Sequence, residues 1–325
     1  MSPIFDFAHA SPTESPFRRA TICNGSPDLC TRNFGNVTFV GAHDSYAVGT
    51  NNVTQQLNDG IRMLQMQAHN LSGVIELCHT SCSLFDGGSL QTYLTTVKAW
   101  LDANPNEVLS LLIVNSDTFP PSSYDTVFKA VGLDTIDWPT LGSLIDSGTR
   151  LITFMDSNAN FSSVPYIIDE FTNIWETAYD VTTSFDCNVN RSNANTPTAT
   201  SMYLINHYLD TLILGQPAPD PSQANQTNAV TGTNSLGEQF ELCVGQQGRN
   251  PNFMLVDFYE YGGGSVFEVA ATANGVTYSP TTPIATPGGT SSPSSSSNSS
   301  PPSFSRWSSV WVVIGSIAFG AFCIY

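Results

Sequence analysis

The chain has 325 residues, 41% of them hydrophobic, enough to build a full core and to exclude a wholly disordered protein. Only 11% are charged, against roughly 25% in an ordinary soluble domain, and 27 acidic residues against 10 basic ones leave a net charge of −17. An acidic chain without a basic cluster repels phosphate backbones, which argues against a nucleic-acid partner.

Residues 1–19 hold no continuous apolar run of the secretory kind. They are expected to be disordered or wrongly assigned, with a true export segment upstream. Short apolar runs then end repeatedly on polar residues, at 36–43, 61–67, 74–79, 108–115, 150–156, 174–180, 202–207 and 253–257. Their length and their Val, Ile, Leu and Phe content fit buried strands. Residues 89–103 place Leu90, Tyr93, Leu94, Val97 and Leu101 on one helical face and stop before Pro105. Shorter helices are expected at 141–145, 164–171 and 262–272, and long loops at 181–200 and 210–235. Eight strands with helices between them predict an α/β fold, a TIM-type (β/α)8 barrel over residues 20–275. A Ser/Thr/Pro-rich stalk is expected over 276–306.

The tail 307–325 contains a charge-free run, Val310 to Tyr325, which is short for a membrane span. Small residues near Ser297, Asn298 and Ser299, a polar spacer and an apolar end match a glycosylphosphatidylinositol attachment signal; a short tail anchor is the alternative. Eight Asn-x-Ser/Thr sequons, at Asn24, Asn36, Asn52, Asn70, Asn160, Asn190, Asn225 and Asn298, point the same way. So do six cysteines before residue 250: Cys23, Cys30, Cys78, Cys82, Cys187 and Cys243. Their spacing favours the pairs 23/30, 78/82 and 187/243 among fifteen possible pairings, and zinc-ribbon spacing is absent. The expectation is an extracellular monomer held at the plasma membrane or cell wall.

In a barrel, chemistry sits where strands end. The polar residues there are His43, Asp44, Gln65, Gln67, His69, His79, Asn115, Asp156, His207 and Asp257. Two imidazoles backed by carboxylates can share base and acid roles near neutrality. No phosphate-binding P-loop, His-Glu-x-x-His or Gly-x-Ser-x-Gly motif is present.

The segments Asn36-Val-Thr-Phe-Val-Gly-Ala-His43-Asp44-Ser45 and Leu77-Cys78-His79-Thr80 resemble the X-region of phosphatidylinositol-specific phospholipases C. With Gly60-Ile-Arg-Met-Leu-Gln-Met-Gln67-Ala-His69, Asp102-Ala-Asn-Pro-Asn-Glu107-Val and Phe253-Met-Leu-Val-Asp257-Phe-Tyr-Glu, they are similar to a group of secreted fungal PLC-like phosphodiesterases. The resemblance covers roughly residues 20–275. It implies a distorted TIM barrel that cleaves a phosphodiester by attack of a neighbouring substrate hydroxyl. It implies His43 as general base held by Asp257, and His79 as general acid assisted by Asp44. The substrate implied is a phospholipid or related diester. Where bacterial members of the family carry an arginine, or animal members calcium, this chain has Gln65 and Gln67. Strand alternation puts His69 on their face as a substitute cation, and Asn115 is a further substrate-facing candidate. Glutamine is a weak calcium ligand, so no metal or other cofactor is expected. The alternative function is a catalytically impaired surface module that binds a phosphorylated sugar or lipid headgroup.

Overall fold

The computed structural model describes residues 19–47, 49, 51–133, 140–213 and 215–288. The N-terminal stretch before Arg19, most of the expected stalk and the apolar tail lie outside them. The elements are β1 (Phe39–Ala42), α1 (Val53–Asp59), β2 (Met63–Leu71), β3 (Val74–Cys78), β4 (Asp86–Ser89), α2 (Leu90–Ala103) and β5 (Leu109–Asn115). There follow α3 (Pro121–Val131), α4 (Leu141–Ser147), β6 (Leu151–Met155), β7 (Ile167–Asp169), α5 (Glu170–Asn173), β8 (Ile174–Glu176) and β9 (Met202–His207). The chain continues through β10 (Asp210–Ile213), β11 (Gln216–Pro219), α6 (Ala224–Thr227), α7 (Leu236–Gln247), β12 (Phe253–Val256) and α8 (Ser265–Asn274).

Eight parallel strands pair in the order β7-β6-β5-β2-β1-β12-β9-β8. This is chain order wrapped into a curl, with a seam where β7 and β8 stand at opposite ends of the hydrogen-bonded path, so the fold is a distorted (β/α)8 barrel. Both faces of each stave are buried, which is why the runs read as continuously apolar rather than alternating. Inward-facing Phe39, Met63, Leu112, Phe154, Ile168, Leu204, Phe253 and Leu255 fill the barrel. Their neighbours Val40, Leu64, Leu111, Ile167, Tyr203 and Met254 pack outward with Leu94, Val97 and Leu101 of α2. Gly41 is required in this interior: a Cβ there would lie 2.9 Å from Leu255 Cδ1 and 3.2 Å from Met63 Cβ.

Local signals set the helix ends. The Ser89 side chain accepts from Thr92 N–H to start α2, Pro121 opens α3, and left-handed Gly132 closes it.

The strand count of eight is right, but one member differs. The expected strand at 74–79 is β3, which is not a stave; it runs antiparallel to the overhanging end of β2. The eighth stave is β7, within the segment 164–171 expected to be helical. Val164, Ile167, Ile168 and Phe171 have helical spacing, yet Ile167 faces the helix layer and Ile168 the barrel interior, as strand neighbours do. The loop expected at 210–235 contains the β10–β11 hairpin and α6. Beyond α8 the chain stays on the barrel: Tyr278 stacks on Phe267, and Ala285 N–H donates to Asp59 Oδ2 at 3.1 Å.

Candidate active site

The register of adjacent staves builds the site. Ala42 pairs with Val256, and His43 N–H donates to Val256 O at 3.0 Å, so His43 and Asp257 end neighbouring strands side by side. The His43 Nδ1 lies 3.0 Å from Asp257 Oδ1. Immediately after β1 the chain turns through a left-handed Asp44 (φ 38°), whose N–H donates to Gln65 Oε1 at 2.6 Å. That turn points the fully buried Asp44 carboxylate across the mouth.

β2 overshoots the mouth and reverses through the two-residue turn Ser72-Gly73, both with positive φ, as a tight hairpin demands. β3 therefore descends alongside it and brings His79 back to the level of Gln67. His79 Nε2 lies 3.2 Å from Asp44 Oδ2, and His43 Nε2 lies 3.8 Å from the same oxygen. Gln67 Nε2 donates to the same carboxylate, at 3.1 Å to Oδ2 and 3.3 Å to Oδ1. Two imidazoles 36 positions apart thus face one buried carboxylate, with a second behind His43.

The electrostatics separate the groups. Burial by itself pushes the His43 imidazole down, but Asp257, Asp44, the hydrogen bond with Asp257 and more distant Asp210 together outweigh it and raise it to about 9. Burial, foremost, pushes Asp257 up from the ordinary carboxylate range. Asp257 Oδ2 is buried without a hydrogen-bond partner. Burial, then Asp257 and Asp180, lift Asp210 to about 7. Burial and Asp44 together hold the Tyr46 phenol protonated above the turn.

Of the other expected residues, Gln65 and Gln67 are at the site as described. His69 is turned to Asp117, with Nδ1 3.5 Å from Oδ1, and its buried Nε2 has no hydrogen-bond partner. Asn115 does not meet the imidazoles. Its Nδ2 donates to Phe119 O and Ser157 O, and its Oδ1 accepts from Phe119 N–H and Tyr124 Oη, so its amide ties together the loops after β5 and β6. His207 faces outward: burial pushes it down to about 4, and its nitrogens lie 2.6 Å from Gln239 Oε1 and 2.7 Å from Thr227 O.

The sequence reading missed Tyr208, whose ring stacks on His43 at 3.9 Å and 7°. Alternation from inward Leu204 through Asn206 would have found it. It also missed Arg191, which joins Glu176 at the mouth through Nε (2.9 Å) and Nη2 (2.8 Å), between the rings of Phe171 and Tyr179. No sequence period marks a loop arginine for that place. The described residues contain no cluster of three His, Cys, Asp or Glu arranged to hold a metal ion. The bridges formed are Cys23–Cys30, Cys78–Cys82 and Cys187–Cys243.

Known proteins resemble the chain in sequence or in fold. A PI-PLC X domain-containing protein 1 of Arthroderma benhamiae is 41% identical over 283 residues, 80% of this chain and 92% of that one. An uncharacterized secreted protein of the same fungus is 43% identical over 79% of this chain and 64% of its own length. A mutant phosphatidylinositol-specific phospholipase C from Staphylococcus aureus superposes with a TM-score of 0.51 at 12% identity, over 77% of this chain and 95% of that one. At that identity the likeness speaks for the fold. The family model PI-PLC X 1 matches residues 29–274, and the chain belongs to that family.

Proposed function

We propose that the chain is a phosphodiesterase that cleaves a phospholipid or related diester carrying a hydroxyl next to its phosphate. The observation that carries this reading is the pair of imidazoles meeting at Asp44, with Asp257 behind His43. In the proposed step the neighbouring hydroxyl oxygen attacks phosphorus and its proton passes to His43 Nε2. The bond from phosphorus to the leaving oxygen breaks, and a proton from His79 goes to that oxygen. The products are a cyclic phosphodiester and an alcohol. Asp257 orients the His43 ring and balances the imidazolium that forms. An internal nucleophile explains why no Ser or Cys nucleophile is needed.

The test is phosphorus NMR of the purified protein with an inositol alkyl phosphodiester. The cyclic phosphate appears first, and His43→Ala and His79→Ala each abolish it. Full turnover in either variant refutes the roles. Binding without turnover is the second reading, favoured by Gln67 standing where a cation would face the phosphoryl oxygens. Detectable turnover that depends on His43 removes it. The three bridges and the secreted relative support an extracellular location. Anchoring through the tail is a proposal, tested by whether deleting residues 307–325 releases the protein from cells.

A further inference from the structure

His79 stands in the run Cys78-His79-Thr80-Ser81-Cys82, and the two cysteines that bracket it are bonded to each other. The imidazole is thus carried on a covalent ring that encloses only three residues. One side of the ring is fixed: Cys78 ends β3, is fully buried, and pairs with Asp86 of β4. Gly87 makes room there, since a Cβ would meet Tyr46 Cδ2 at 2.6 Å. The other side is a sharp turn. Thr80 has φ 64°, sparsely populated for a threonine, and Ser81 N–H donates to His79 O at 2.7 Å.

The two imidazoles are held in different ways. His43 is wedged, with its side chain 14% exposed, Tyr208 stacked on one face and Asp257 on Nδ1. The His79 side chain is 30% exposed, and its polar neighbours are Asp44 Oδ2 at 3.2 Å and its own neighbour's Thr80 Oγ1 at 3.3 Å.

The three bridges also differ in what they can contribute. They join residues 7, 4 and 56 positions apart. Closing a loop restrains the unfolded chain less the shorter the loop, so Cys78–Cys82 adds the least to global stability and acts most on local geometry.

We infer that the Cys78–Cys82 bridge is a positioning device for His79. It holds the acid imidazole against Asp44 and across from His43, so that opening the bridge removes the acid step and leaves the base step. The inference rests on the phosphodiesterase reading. It also makes turnover sensitive to reductants, through two-electron reduction of the disulfide to two thiols by an external dithiol.

The test separates acid catalysis from general damage by changing the leaving group. The probes are myo-inositol 1-phosphate esterified with hexanol, a poor leaving group that needs a proton, and with 4-nitrophenol, which departs as a stable anion. The variants are Cys78→Ala/Cys82→Ala and, as a stability control, Cys23→Ala/Cys30→Ala. Opening the 78–82 bridge is expected to slow the hexyl ester about 10²-fold or more and the nitrophenyl ester by less than about threefold. The control is expected to change both esters by one common factor. Should the double variant not fold, the unaltered protein is reduced under native conditions with dithiothreitol and alkylated. The opened bridge is identified by peptide mass, and the ratio of the two rates is compared before and after. Equal losses on both esters, or no loss, overturn the inference while leaving the phosphodiesterase reading intact. If the unaltered protein cleaves neither ester, the phosphodiesterase reading fails for inositol diesters and the inference falls with it.

Discussion

Replacing Asp257 with asparagine isolates the carboxylate that sets the state of His43. The imidazole is raised from its ordinary 6.5 to about 9 although burial opposes the charge, and Asp257 supplies the largest opposing attraction together with a hydrogen bond. A group titrating near 9 is neutral in only about 3% of molecules at pH 7.5. The proposed base must be neutral to accept a proton, so on the 4-nitrophenyl ester, whose leaving group needs no proton from His79, kcat/KM should climb with pH and level off only above about 9. Asp257→Asn keeps the shape and removes the charge. With burial still acting, the midpoint of that limb should fall by about 1–3 pH units. The plateau should fall as well, by about 10²–10⁴-fold, because the imidazolium formed in the step loses its partner and the ring its tautomer. The assay is kcat/KM against pH, paired with NMR titration of His43. A midpoint that stays in place, or an unchanged plateau, refutes the role given to Asp257. The same pair has a stability consequence of definite sign. A histidine raised on folding stabilises fully below its unfolded value of 6.5 and loses that contribution as pH rises through about 9. The imidazole alone implies on the order of 3 kcal/mol. Burial pushes Asp257 up at the same time, so that figure is an upper bound for the pair.

Gln67→Arg would keep a donor on Asp44 and add a positive charge at the mouth. Turnover should rise about 10–10²-fold, measured as kcat on an inositol diester, and an unchanged kcat would place the phosphate elsewhere. Gly41→Ala forces a Cβ to within 2.9 Å of Leu255 Cδ1 and should cost about 1–3 kcal/mol in denaturant unfolding. A loss under about 0.5 kcal/mol would mean that the interior yields more easily than packed side chains do. His207, pushed down to about 4 by burial, is neutral when folded, so the unfolded chain binds its proton first and stability drops as pH falls from 6.5 toward 4. His207→Gln should flatten that part of the denaturation-midpoint profile, and an unaltered slope would contradict its burial as a neutral ring.

The staves were legible because both faces of each are buried, which turns strands into short apolar runs with polar ends. The same signal misled at 74–79, since a hairpin strand packed on α2 is as apolar as a stave. It misled again at 164–171, where a three-residue stave is too short to show its own period. The candidate site was legible where its side chains stand at a run's last residue, as at His43 and Asp257. At β9 the last residue is His207, but the pleat turns it outward, and Tyr208, one position on, reaches the site. Asn115 ends its run too, yet it serves the loops that follow. Arg191 depends on how a long loop folds back on Glu176, which local pattern does not encode.

The charges around the imidazoles lead to one further consequence. When the proposed base is ready, His43 is neutral while Asp44 and Asp257 remain beside it, and the arriving diester brings another negative charge. Arg191 does not offset this freely, because Glu176 already engages it through two nitrogens. Substrate affinity therefore favours protonated His43, and turnover favours the neutral form. Affinity and turnover should move in opposite directions across the titration of His43, near pH 9 in the free protein. One unit charge about 4 Å from the phosphate is worth about 1 kcal/mol in bulk water and about 4 kcal/mol at a partly wet site, so the affinity should fall by about fivefold to about 10³-fold. Calorimetry with a non-cleavable inositol phosphonate at pH 6.5 and 10 reads affinity directly, and kcat on the 4-nitrophenyl ester over the same range reads turnover. Gln67→Arg should reduce the loss by supplying a charge that does not titrate. Affinity that holds constant through pH 9 would show that the phosphate does not lie against His43, and the base would have to be sought elsewhere in the mouth.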